Sequence, residues 1–180
     1  HGFFDGLGLP PELQHHTSGH APNVIGTLPG VIDPSRVVIA LGHLADVPWS
    51  GTAPGADDNA SGSAMVLSLA EPLSCYDLAY TVKFLSVTGE EYGLYGSEYY
   101  AQQAAAAGED ILAVLNGDMI GWQGDGTPSP ENLDLSYNVA SEWLGLLFAQ
   151  AASEYATGCV VDAFECGSLT ASDHYPFWEE

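Results

Sequence analysis

Residues 80–116, YTVKFLSVTGEEYGLYGSEYYAQQAAAAGEDILAVLN, read as strand, helix, strand. YTVKFLSVT is apolar and β-branched along its length, as a strand buried on both faces must be. GLYGSEYYAQQAAAAG is rich in helix formers and stops at Gly108, where a left-handed residue can close a helix. ILAVLNG is a second buried strand. A crossover of this length between two such strands predicts a parallel pair with a helix packed on the sheet.

Working outward, RVVIALGH (36–43) predicts another doubly buried strand and NVIGTLPG (23–30) a short one. Residues 60–70 suit a helix, LDLSYN (133–138) a strand, and 139–156 an amphipathic helix, with the turn-rich QGDGTPSPEN before them. The expected fold is α/β, three layers, with a mostly parallel sheet and helices on both faces. Residues 1–22 form a loop-rich lead-in and 23–180 one domain. His15, His16 and His20 in the lead-in are read as surface histidines rather than a metal tract.

The 180 residues are 46% apolar, enough for one sizeable core. No apolar run approaches the roughly 20 residues that span a bilayer. Acidic residues number 24 against only Arg36 and Lys83, a net charge of −22. Such a chain repels phosphate backbones, so nucleic acid is not an expected partner. Self-repulsion of that size is relieved in concentrated salt, so a halophilic setting is an expectation. Cys159 and Cys166 flank six residues in GCVVDAFECG, a spacing open to a short disulfide loop or to two reduced thiols. A bridge would indicate an oxidising compartment.

The chemistry-bearing residues sit where a parallel sheet places its sites, beyond the carboxyl ends of strands. His43 follows RVVIALG, Glu90 and Glu91 follow KFLSVTG, and Asp118 follows ILAVLNG. PGADDNASG adds Asp57 and Asp58 in a loop opening a helix, and SDHYPF adds His174. Two imidazoles and several carboxylates without a thiolate suit borderline-hard divalent ions, zinc first. Adjacent acids in a turn can point apart, one toward metal and one toward a water.

GHLADV, PGADDNASGSA, VTGEEYGLYGS, LNGDMIG and SDHYPF resemble, in order, the five blocks of the bacterial leucyl aminopeptidase-like family of co-catalytic dizinc exopeptidases. The resemblance implies the zinc-exopeptidase, phosphorylase/hydrolase-like fold and two zinc ions. Asp58 would bridge them, His43 and Asp118 would complete one site, and Glu91 and His174 the other. It implies Glu90 as general base toward a zinc-activated water, and hydrolysis of N-terminal, apolar residues from peptides with a free amine. Asp46 and Asp57 are the expected outer partners of His43, since the family's acid two places after that histidine is Ala45 here. Tyr92, Met119, Ile120, Tyr175 and Phe177 border the ligands and are the expected pocket. Some members carry a small disulfide loop before SDH, which favours a Cys159–Cys166 bridge and an extracellular or cell-surface setting.

The chain stops six residues after His174, short of the family's usual closing strand and helix. Either the sequence is a fragment, or the fold is shortened and leaves a sheet edge that a partner covers. The competing readings are a glutaminyl cyclase-like or carboxypeptidase-like enzyme on the same fold, and a catalytically silent acidic surface or assembly protein. A carboxypeptidase needs a cation for the substrate carboxylate, and Arg36 and Lys83 both lie in predicted strands.

Overall fold

The computed structural model describes residues 2–16, 19–44, 46–47, 50–121, 132–156 and 158–180. In chain order its helices and strands are α1 (Gly2–Gly6), β1 (Glu12–Gln14), β2 (Asn23–Leu28), β3 (Asp33–His43), α2 (Ala60–Leu73), β4 (Tyr80–Val87), α3 (Tyr95–Ala107), β5 (Asp110–Asn116), β6 (Asn132–Tyr137), α4 (Glu142–Tyr155), β7 (Val160–Glu165) and α5 (Pro176–Glu179). They form two compact units, one of residues 1–120 and 172–180, the other of residues 121–171. The turn-rich reading of QGDGTPSPEN falls almost wholly on residues 122–131, outside the described residues.

In the first unit five strands run in the order β1-β2-β4-β3-β5. β3 lies between β4 and β5 and is parallel to both, so the two strands of the strand–helix–strand stretch share a direction without pairing with each other. β2 and β1 extend the β4 edge antiparallel. The direction of β2 could not be read from its own residues, because a short apolar strand has the same period either way. The lead-in is also more regular than its composition suggests, since it supplies α1 and β1.

Alternation along the central strands divides the core in two. Val37, Ile39, Leu41, Leu85 and Val87 pack against Tyr100 and Ala104 of α3, with Phe177 of α5 behind them. Ala40 and Phe84 face the opposite way, onto Val66 and Ala70 of α2 and Phe4 of α1. The doubly apolar runs are therefore covered on both faces, and the expected α/β layering is present.

α2 meets the sheet at its first turn. A Cβ built on Gly62 would lie 2.0 Å from the Gly117 carbonyl oxygen and 2.6 Å from the Asn59 side chain. Only glycine allows that approach. Gly62→Ala should therefore lower stability by about 3 kcal/mol, at the top of the usual range for an overpacked site, as measured by chemical denaturation of the metal-free chain. A loss within error of zero would show that the turn yields freely.

In the second unit β6 and β7 pair in parallel, and α4 packs on them. Here one expectation fails. Cys159 and Cys166 are free thiols at opposite ends of β7. Seven extended steps separate their Cα atoms by about 23 Å, far beyond disulfide reach. The six intervening residues span a strand instead of closing a loop, and the support that a bridge lent to export goes with it. No helix among the described residues is long and apolar enough to cross a membrane.

Candidate metal centre

Register brings the first ligands together. His43, the last residue of β3, pairs with Val87, and Leu41 pairs with Asn116. The backbone continues this alignment one step beyond the strands, where Leu44 N–H donates to Val87 and Gly117 N–H to Leu41, each at 2.9 Å. Glu90 and Glu91 then open a single 3-10 turn, and Asp118 follows β5 by two residues. Gly89 enters that turn at φ +79° and Gly93 leaves it at +113°, a left-handed backbone that costs glycine little. Glu90 is half-buried and Glu91 exposed, yet both bring a carboxylate oxygen within 4.8 Å of the other and of His43, so the two acids converge rather than point apart.

Asp58 arrives from the loop before α2. Asn59 caps that helix by accepting from Gly62 N–H at 2.8 Å, and it donates to the Gly117 carbonyl at 2.9 Å. A single buried amide thus ties the Asp58 loop to the residue before Asp118. Ser61 adds a second tie, accepting from Ile120 N–H and donating to the Asp57 carbonyl. The Asp58–Asn59 peptide is cis.

The outcome is a cluster around His43, which is 1% exposed. Its Nε2 lies 3.3 Å from Asp58 and 3.6 Å from Asp118. His43, Asp58 and Asp118 present ligand atoms all within 4.8 Å of one another, and so do His43, Glu90 and Glu91. His43 is common to both groups, and Asp58 and Glu91 lie close enough across them for each to shift the other. His174 belongs to neither group. Its ring packs edge-on to Trp178 at 4.6 Å while its charge is felt at Asp118.

Burial pushes the Glu90 carboxyl up to about 7, helped by the charges of Asp173, Asp118 and Glu91. Asp58 and Glu91 are raised as well, by burial first and then by their acidic neighbours. Burial alone would also raise Asp118, but the His43 imidazole, its Nε2 3.6 Å away, and the hydrogen bond donated by Ser172 hold it below its ordinary value. Neither basic residue of the chain relieves this repulsion. Arg36 pairs with Asp110 at 3.2 Å where β3 and β5 begin, and Lys83 pairs with Glu109 beside Tyr100. Converging carboxyls and imidazole, without thiolate or nearby cation, fit divalent metal ions.

Other expected residues take varied places. The Asp46 carboxylate rests against Gly55 and is felt at Asp58 and Glu91. Asp57 is half-buried, and Ala45 lies outside the described residues. Tyr92, Met119 and Ile120 are exposed beside the ligands, and Met119 has a left-handed φ of +52°. The other two expected pocket residues have partners within the fold. Phe177 packs into the core 5.9 Å from the Tyr100 ring, and the Tyr175 hydroxyl donates to Glu179 at 2.7 Å. In the lead-in, His16 Nε2 lies 2.9 Å from Thr88 Oγ1, and His20 packs against Tyr92 and Tyr95.

Several supporting residues were missed in the sequence. Ser172 donates to Asp118 at 2.5 Å and accepts from Asn116 at 2.8 Å, orienting that carboxylate. Asn59 and Asn23 are buried clamps, the latter holding Thr88 N–H and the Gly96 carbonyl. Ser172→Ala should weaken zinc binding about 10–100-fold, the usual cost of losing such an outer partner. Chelator competition measures this, and unchanged affinity would show that Asp118 needs no such help.

Residues 23–180 match the sequence profile of peptidase family M28. The chain belongs to peptidase family M28. Among the relatives of this M28 chain, a probable leucine aminopeptidase of Arthroderma otae is 32% identical over 162 residues, covering 84% of the chain and 42% of the relative. A probable zinc metalloprotease of Pyricularia oryzae is 43% identical over 104 residues, covering 55% and 21% respectively. The crystal structure of LapB from Legionella pneumophila superimposes with a TM-score of 0.81 at 22% identity, over 98% of this chain and 49% of that one. The M28 chain therefore spans less than half the length of each of these proteins.

Proposed function

We propose that this M28 chain carries the two-zinc centre of an aminopeptidase that removes N-terminal, apolar residues from peptides. The observation that carries the reading is the group of His43, Asp58 and Asp118 within 4.8 Å, joined through Asp58 to Glu91 and flanked by half-buried Glu90. In this reading His43 and Asp118 would hold one ion, Glu91 and His174 the other, and Asp58 would be shared by both. When bound, the ions supply Lewis-acid polarisation of the scissile carbonyl and of the attacking water. Glu90 does the proton work. Its carboxylate takes a proton from the attacking water and returns it to the leaving amine, a role suited to a carboxyl lifted toward neutral pH.

The acidic surroundings favour a substrate that presents a cationic N-terminus over one that presents a carboxylate. A carboxypeptidase would need a basic group here, and Arg36 and Lys83 are engaged elsewhere. The zinc-loaded chain should hydrolyse leucine p-nitroanilide, stop on chelation, and leave the N-acetylated analogue intact. Zinc uptake with no hydrolysis would overturn the aminopeptidase reading in favour of a silent scaffold.

The net charge of −22 supports a high-salt working environment as part of this proposal. Screening shortens the range of repulsion among the acids. The melting temperature should therefore rise from dilute buffer to molar salt, and a flat or falling trend would contradict it.

A further inference from the structure

We propose that Asp173 supplies a buried negative charge that strengthens the site's hold on divalent cations and destabilises the metal-free fold. The inference rests on the metal-centre reading above and goes beyond its ligand set. Asp173 is 0% exposed. Ser97, on the first turn of α3, donates to its Oδ1 at 2.5 Å, while Oδ2 is buried with no hydrogen-bond partner among the described residues. The carboxyl lies close enough to Glu90 for its charge to be felt there, and it in turn feels His43 and Asp118. It belongs to neither group of ligand atoms drawn together around His43.

A carboxylate removed from water and given one donor is costly, and a fold selected for stability alone would place a neutral side chain there. Arg36 and Lys83 do not compensate it, since both are paired elsewhere, and the His43 imidazole whose charge it feels is shared with Asp58 and Asp118. A divalent cation among His43, Asp58 and Asp118 would provide it. The largest positive charge in such a site attracts every nearby anion, including those that do not touch it. Asp173 is thus a positioning residue for charge: it acts on the metal through the field, from the segment that also carries Ser172 and His174.

The test compares the full chain with its Asp173→Asn and Ser97→Ala variants at pH 8. Zinc affinity is read by competition with a chromophoric chelator, and the melting temperature is read in the presence of a metal chelator. Asp173→Asn removes the charge and keeps the shape. It is expected to bind zinc about 10–100-fold more weakly while its metal-free form melts higher than wild type. Ser97→Ala keeps the charge and removes its donor, so it should retain zinc affinity and lower the metal-free melting temperature.

Wild-type zinc affinity in Asp173→Asn would overturn the inference alone. So would a metal-free Asp173→Asn chain that melts at or below the wild-type temperature or fails to fold, because the Asp173 charge would then not burden the metal-free fold. A Ser97→Ala chain as weak for zinc as Asp173→Asn would assign the effect to geometry and overturn it too. A wild-type chain that takes up no zinc would overturn the metal-centre reading and this inference with it.

Discussion

Glu90→Gln should keep its zinc and lose hydrolysis of leucine p-nitroanilide by at least about 10²–10⁴-fold, the span that positioned general acid–base groups contribute. Glutamine preserves the shape of the side chain and its half-buried place in the turn between β4 and α3, but it cannot accept the proton. Because Glu90 is assigned no ligand role, zinc content should match wild type. The loss should fall on kcat, with KM little changed, since the interaction is made in the transition state. Turnover close to wild type would remove Glu90 from the chemistry. Loss of zinc together with turnover would instead make it a ligand, an outcome the close group of His43, Glu90 and Glu91 makes worth measuring.

Asp58→Ala should abolish tight zinc binding and reduce hydrolysis to background. In the proposed centre Asp58 is the carboxylate common to both ions: it lies 3.3 Å from His43 Nε2, and it and Glu91 feel each other's charge. Its removal leaves His43 with Asp118 on one side and Glu91 with His174 on the other, so each ion loses one carboxylate at once. The metal-free fold should tolerate the change, because Asp58 is already held against its preference for charge by burial and by Asp118 and Asp46. Zinc per chain after dialysis is the readout. Retention of wild-type zinc would show that Asp58 is not the bridge.

Much of this was legible in the sequence because the sheet's centre is buried on both faces. Three strands therefore read as unbroken apolar runs, and each is followed within a few residues by a polar group the core would not otherwise admit: His43, Glu90, Asp118. Strand direction was less legible. β2 is a short run with apolar Val24, Ile25 and Leu28, a pattern that fits either direction, and only its pairing with β4 and β1 makes it antiparallel.

The supporting residues were hidden for another reason. Ser97 meets Asp173 across 76 positions, Asn116 meets Ser172 across 56, and Asn59 meets the Gly117 carbonyl across 58. In each case an ordinary serine or asparagine acquires its role only from what the fold places opposite it. The cysteine spacing misled because CVVDAFEC lacks the turn residues that a short loop needs. Val160, Val161 and Phe164 mark it as a strand, and a strand holds its ends apart.

The most direct test is the zinc content of the chain after loading with excess zinc at pH 8 and removal of unbound metal by gel filtration. Two zinc ions per chain, falling toward zero in Asp58→Ala, are expected from a centre built on His43, Asp58, Glu91, Asp118 and His174. A folded wild-type chain that leaves the column without zinc would contradict it.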